Sequence, residues 1–253
     1  MSDIQEKLAK SLTAEHTDLI PYLPYLLKDL WELGSSPKDI INMIQKHIKV
    51  PKKARVLDLA CGKGAVGIQA AKALGCMVKG IDIIPEFVDY ADKKAREYGV
   101  EKLCDFKVGD INEAVTIEKD FDIVILGAVG DVLGKPVETI QKLKRTVKNG
   151  GHIFIDDAYG SGCSDGGSPA REKWLLFFQE AGVQLLDEKF IEKDELESLL
   201  DEQQSFIVMR ANELKEKYPD KADLFESYIK SQQTECDELE NEISGVTMLL
   251  QVE

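Results

Sequence analysis

The chain has 253 residues, 43% of them apolar and 31% charged, and carries a net charge of −14 at neutral pH. That length is enough for one α/β domain with a full core, while no uninterrupted apolar stretch approaches the roughly 18 residues of a membrane span. Lys and Arg capture phosphate backbones by displacing counterions, so a surface this acidic argues against a nucleic-acid partner, and the apolar pattern argues against membrane insertion.

The acidity is concentrated at the C-terminal end, where residues 191–253 hold six Lys and Arg against 17 Asp and Glu. The opening residues, MSDIQEKLAKSLTAEHTDL, lack the apolar stretch of a signal peptide, which points to a cytoplasmic protein. Five cysteines (Cys61, Cys76, Cys104, Cys163, Cys236) are widely spaced with no C-x-x-C. They read as ordinary thiols, with neither a disulfide framework nor a metal site.

Residues 1–50 read as a helical cap. TDLIPYLPYLLKDLWELG places apolar residues at helical spacing, and SSPKDIINMIQKHI offers Ser36 as an N-cap with Pro37 in the first turn. From 51 to 190 the period changes. Short β-branched runs (ARVLDLA, MVKGIDI, LCDFKVGD, FDIVILGAV, GHIFIDDAY) alternate with amphipathic stretches beginning near Gly64, Pro85, Lys135 and Pro169, the pattern of a doubly wound, mostly parallel sheet. The connection INEAVTIEKD is short, about a turn of helix. Residues 191–242 read as an insertion of two charged helices, about Asp194–Lys217 and Lys221–Glu240, before a last strand over 243–253. That insertion is either a solvated hairpin or part of a substrate pocket. The whole reads as a single domain.

VLDLACGKGAVG contains G-x-G-x-x-G at Gly62, Gly64 and Gly67, a turn that serves adenosine-containing cofactors. NAD places its pyrophosphate on the following helix N-terminus, where an adjacent anion is unwelcome. Asp58 stands four residues before Gly62, and a carboxylate there suits the positive sulfonium and α-ammonium of S-adenosylmethionine. Asp82 ends the second run, where a carboxylate can accept ribose hydroxyls. Asp110 closes the third in KVGDIN, where it can take the amine of an adenine laid between Ile83 and Ile111. The structural alternative makes each carboxylate the N-cap of the following helix.

These motifs resemble those of class I S-adenosylmethionine-dependent methyltransferases of the small-molecule group that includes quinone-biosynthesis enzymes. VLDLACGKG is similar to that family's glycine motif, with Ala60 and Cys61 where Gly and Cys, Ser or Thr are commoner. GIDI resembles its acidic loop, VGDIN its adenine motif, FDIVILGAV its fourth strand, and VKNGGHIFI its approach to the fifth, with Asn149 in place of the usual proline. The likeness covers about Lys52 to Phe190. It implies a Rossmann-like, seven-stranded sheet whose last strand is inserted antiparallel, with S-adenosylmethionine as cofactor and S-adenosylhomocysteine as product. It implies that backbone at Ala60, Gly62 and Gly64 holds the methionyl part, that Asp82 holds the ribose and Asp110 with Ile111 the adenine, and that Gly127 and Ala128 lie beneath the sulfonium. The methyl group of Ala60 should tighten the turn without excluding the ligand.

Methyl transfer is an in-line displacement from a cationic sulfur, so alignment does most of the work. A base adds to it when the acceptor is a hydroxyl or a carbon acid. Alternation along GHIFIDDAY puts Asp156 and Asp157 on opposite faces, and Asp157, supported by Tyr159, is the expected acceptor-side residue. The competing reading has Asp157 cap the Gly-rich stretch GSGCSDGGSP. His47 and His152 read as structural, while His16 either reaches the cofactor's rim or is structural too. Tyr22, Tyr25 and Trp31 form either a lid or a packed face. A magnesium site of the catechol-methyltransferase kind would recruit Asp131, Asp156 and Asp157, but the Asp-Asn pair it would need is absent, so no metal is expected. The expected partner is a small-molecule acceptor, and the protein a monomer or homodimer. Two alternatives remain open: a non-catalytic S-adenosylmethionine-binding protein, and an NAD(P)-dependent oxidoreductase.

Overall fold

A computed structural model of the protein describes residues 2–49, 51–160, 168–191 and 193–253. Most of GSGCSDGGSP, with Cys163, lies outside the described residues. The chain divides into two compact units, one made of Trp31–Asp157, Pro169–Lys189 and Val246–Glu253, the other of Met1–Leu30, Ala158–Ser168 and Phe190–Gly245.

In chain order the elements begin with α1 (Ser2–Ser11), a 3-10 turn (Thr17–Tyr22), α2 (Leu23–Leu26) and α3 (Pro37–His47). There follow β1 (Arg55–Leu59), α4 (Ala65–Leu74), β2 (Met77–Asp82), α5 (Pro85–Glu97), β3 (Cys104–Val108) and α6 (Ile111–Ile117). Then come β4 (Phe121–Leu126), α7 (Pro136–Lys144), β5 (Val147–Gly160), α8 (Arg171–Ala181) and β6 (Val183–Phe190). The chain ends with α9 (Lys193–Lys217), α10 (Ala222–Asn241) and β7 (Ile243–Val252).

The seven strands form one sheet in the order β3-β2-β1-β4-β5-β7-β6. β1 pairs in parallel with β2 and β4, β2 with β3, and β4 with β5. This is a doubly wound, Rossmann-like fold. Both faces of the central strands are covered, so they read as continuous apolar runs: Val56, Leu57, Leu59, Ile123, Val124 and Ile125 are all fully buried. Ile40, Met43 and Ile44 of α3 and Ile68, Ala71 and Leu74 of α4 pack into the same core. Ser36 caps α3 as its position suggests, its Oγ accepting from the Asp39 amide at 3.3 Å. The connection INEAVTIEKD holds more helix than one turn, the seven residues of α6.

In the other unit, Leu196, Leu200, Ile207, Ala211 and Leu214 line the buried face of α9, and Phe225 and Tyr228 that of α10. Arg210 ties this unit together, donating to Asp29 at 2.5 and 3.0 Å and to Glu213 at 2.7 Å. The helical spacing of TDLIPYLPYLLKDLWELG yields only short pieces of helix. Pro21 and Pro24 each remove an amide donor, and the segment breaks into the 3-10 turn and the four residues of α2. Tyr22 meets Phe225 edge-on at 5.0 Å. Among the described residues no helix is long and apolar enough to cross a membrane.

Candidate active site

Strand order reverses between β1 and β4, and a crevice beyond the strand C-termini at such a point is where doubly wound sheets take ligands. Register fixes what meets there. Leu59 lies opposite Leu126, so Ala60 and Gly127 leave the sheet side by side. Leu126 in turn lies opposite Ile155, which brings Asp156 next to Gly127.

The turn after β1 is left-handed at Ala60 (φ 54°), Gly62 (φ 52°) and Gly64 (φ 75°). Gly64 is the N-cap of α4, and a Cβ there would fall 2.8 Å from that of Ala91, so glycine is required on both counts. Ala60 has a side chain in the same left-handed region, at a cost of about 1–2 kcal/mol. Three of the turn's amides are spent internally. The Cys61 amide donates to the Ile81 carbonyl at 3.1 Å, Gly62 to Asp82 Oδ2 at 2.8 Å, and Gly64 to the Cys61 carbonyl at 2.8 Å.

The three strand-end carboxylates differ in environment. Asp58 is 3% exposed, and its Oδ2 is buried with no hydrogen-bond partner among the described residues. Burial pushes its pKa up to about 7, against a smaller lowering by the Gly67 amide, and the like charges of Asp82 and Asp156 push the same way. Asp82, also buried, accepts from the Gly62 amide through one oxygen and from the Ile84 amide at 2.9 Å through the other. Burial raises its pKa as well, opposed by those amides and that of Ile83. Asp110 is half-buried and N-caps α6, its Oδ1 accepting from the Asn112 amide at 2.8 Å and Nδ2 at 3.1 Å. Ile111 next to it is buried and Ile83 half-buried. Asp82 and Asp110 therefore bind local backbone, as the capping alternative anticipates for Asp110, and the Asp58 carboxylate faces the Gly67 amide in the first turn of α4.

On the far side of the crevice the neighbours Asp156 and Asp157 part company. Asp156 is buried, with one oxygen accepting from Ser35 Oγ and the other from Thr247 Oγ1. Burial is the main cause that raises its pKa to about 6, with the two hydroxyls opposing. Asp157 is half-buried. Tyr159, 6% exposed, belongs to the other unit and packs edge-on against Phe190 at 5.8 Å.

Sequence reasoning missed Ser35, Leu33 and Gly34. Ser35 carried no signal, because its partner lies 121 residues away, and the adjacent Ser36 drew attention as a helix cap. Trp31 meets Tyr98 at a tilted angle with centroids 5.1 Å apart, and its Nε1 donates to the Lys63 carbonyl at 3.1 Å, joining the segment before α3 to the glycine turn. Among the other residues singled out, His47 pairs with Asp187 at 2.8 Å, and His16 lies exposed before the 3-10 turn. Among the described residues no group of three His, Cys, Asp or Glu could hold a metal ion.

The profile of a methyltransferase-domain family matches residues 51–204, which takes in the glycine turn, all three strand-end carboxylates and the Asp156–Asp157 pair. The chain belongs to this methyltransferase family. A ribosomal protein L11 methyltransferase of Dictyoglomus thermophilum is 32% identical to it over 156 residues, 61% of this chain and 46% of that protein. A demethylmenaquinone methyltransferase of Lactobacillus johnsonii is 31% identical over 112 residues, 44% of this chain and 46% of that protein. The matches thus span under half the length of these curated relatives. A methyltransferase of Thiobacillus denitrificans, solved with S-adenosyl-L-homocysteine, shares the fold at a TM-score of 0.75 and 17% identity, over 92% of this chain and 98% of that one. The two curated relatives are named for acceptors as different as ribosomal protein L11 and demethylmenaquinone, so the shared core speaks for the fold and not for the acceptor.

Proposed function

We propose that the protein transfers a methyl group from S-adenosylmethionine to a small-molecule acceptor and releases S-adenosylhomocysteine. The observation that carries this reading is the pairing of a buried, unpartnered carboxylate oxygen on Asp58 with a glycine turn whose amides at Cys61, Gly62 and Gly64 are already committed. A pyrophosphate needs free amide donors and no adjacent anion; a cationic methionyl group needs the reverse.

In this reading Asp58 takes the α-ammonium, and backbone at Ala60, Gly62 and Gly64 holds the rest of the methionyl group. Asp82 gives part of its acceptor capacity to the Gly62, Ile83 and Ile84 amides and the remainder to the ribose hydroxyls. Asp110 spends Oδ1 on its cap and offers Oδ2 to the adenine amine, with Ile83 and Ile111 flanking the ring. Gly127 and Ala128 lie beneath the sulfonium, which supplies an activated methyl group. Asp157, with Tyr159, orients the acceptor and accepts its proton. The demethylmenaquinone relative favours a small acceptor, and the acidic composition disfavours nucleic acid. We place the protein in the cytoplasm as a monomer or homodimer.

Calorimetry with S-adenosylmethionine, S-adenosylhomocysteine and NAD tests the cofactor. The first two should bind at least about ten-fold more tightly than NAD, a gap of about 1.4 kcal/mol. Equal or tighter NAD binding would overturn the reading. Incubation with metabolite pools then separates an enzyme, which releases S-adenosylhomocysteine, from a protein that binds the cofactor without turnover.

A further inference from the structure

We propose that Asp156 is a positioning residue for the cofactor site: acting through the Ser35 hydroxyl, it holds the segment Leu33–Ser35 across the ends of β1 and β4. The inference rests on the reading above that a cofactor lies there, and its evidence is a set of close approaches. A Cβ built on Gly62 would lie 3.3 Å from Leu33 Cδ1, one built on Gly127 would lie 3.1 Å from Ser35 Oγ, and one built on Gly34 would lie 3.0 Å from Ala128 Cβ. Three successive residues thus sit on one backbone position assigned to the methionyl group, Gly62, and on two assigned beneath the sulfonium, Gly127 and Ala128.

The segment is tied at both ends. Trp31 Nε1 holds the Lys63 carbonyl in front of it, and Ser36 starts α3 behind it. Between these ties Gly34 sits at φ +93°, and without a Cβ its backbone has other conformations open to it. What fixes the middle is the bond from Ser35 Oγ to Asp156. Thr247 occupies the other carboxylate oxygen, so the carboxylate cannot turn away from Ser35 without giving up a second hydrogen bond. Hydrogen bonds to an ionised oxygen are about twice as strong as neutral ones, which makes a carboxylate a firm anchor for a short strap. A strap lying directly on Gly62 and Gly127 sets how much room the methionyl end has and how well it is shielded. Loosening it should weaken cofactor binding without touching a cofactor atom.

The test is calorimetric titration of S-adenosylhomocysteine into the parent protein, Ser35→Ala, Ser35→Thr, Asp156→Asn and the Ser35→Ala/Asp156→Asn double variant, each checked for its thermal midpoint. Ser35→Ala should bind about ten-fold more weakly, and Ser35→Thr, which keeps the hydroxyl, should stay within about three-fold of the parent. Because Asp156 acts through Ser35, the double variant should bind no more weakly than the weaker single variant, in place of the sum expected for independent sites. Parent-like affinity in Ser35→Ala overturns the proposal, as does Ser35→Thr falling as far as Ser35→Ala, or additive effects in the double variant. If Asp156→Asn does not fold, the Ser35 pair decides by itself. A parent protein that binds neither S-adenosylmethionine nor S-adenosylhomocysteine overturns the cofactor reading instead.

Discussion

The C-terminal ends of β1 and β5 each carry a buried aspartate, and the fold treats the two in opposite ways. At β1, Asp58 keeps an oxygen without a partner among the described residues, and its pKa is driven to about 7, mainly by burial. At β5, Asp156 gives both oxygens to hydroxyls, from residues 121 and 91 positions away in the chain, and its pKa rises less, to about 6. Both sites exclude water, so what separates them is the supply of donors. A carboxylate short of donors is a costly feature of the empty fold and an attractive one for a cationic ligand. A carboxylate with its donors in place is a joint that fixes where two segments lie.

The largest expected effect breaks this comparison at its β1 end. Asp58 has a higher pKa folded than unfolded, so between pH 4 and 7, roughly, the unfolded chain releases its proton first and stability falls as pH rises. The penalty is absent below the unfolded pKa, near 4, and complete above about 7; at about 1.4 kcal/mol per pKa unit it reaches up to about 4 kcal/mol. Asp58→Asn cannot ionise. Denaturant titrations at pH 4.5 and 7.5 should therefore show the variant gaining several kcal/mol on the parent at the higher pH, and parallel profiles would mean that Asp58 is solvated after all. A cationic ligand beside Asp58 favours the ionised form, so affinity for S-adenosylmethionine should rise across the same window.

Next in size is a test at the β5 end, where Asp156 and Asp157 are neighbours on opposite faces of the strand. If Asp157 accepts the acceptor's proton, Asp157→Asn should lower turnover by about 10²-fold and leave cofactor affinity within a few-fold, once an acceptor is in hand. Turnover within about three-fold of the parent would leave alignment to carry the reaction. The smallest effect returns to β1. Ala60→Gly relieves about 1–2 kcal/mol of left-handed strain but restores about 0.5–1 kcal/mol of unfolded-chain entropy. The net gain of about 0.5–1 kcal/mol should raise the thermal midpoint by a few degrees at most. A lower midpoint would show that the Ala60 methyl group packs well enough to outweigh its backbone.

How much could be read in advance follows the same divide. Ser36 as the cap of α3, Gly64 at the start of α4 and the two long C-terminal helices were legible, because each depends on residues within a few positions of one another. The break at Pro21 and Pro24 was written in the sequence too, because the apolar spacing is helical while the two prolines remove amide donors that a helix needs. At the candidate site the glycine turn and its three carboxylates stood out as a motif. That Asp110 would spend Oδ1 on α6 while Asp58 kept an unpartnered oxygen was not visible in the spacing.

Dihedral preference, periodicity and capping act over a few residues, and they set the alternation of strands and helices, the left-handed turn after β1 and the carboxylates at the ends of β1, β2 and β3. Which carboxylates are desolvated and which find donors depends on how distant segments pack. Ser35, Asp156 and Thr247 lie far apart along the chain and come together because α3 and the sheet share one core, with β7 inserted beside β5. The supply of water and of hydrogen-bond donors at a buried oxygen is a property of that packing, and no local pattern in the chain encodes it.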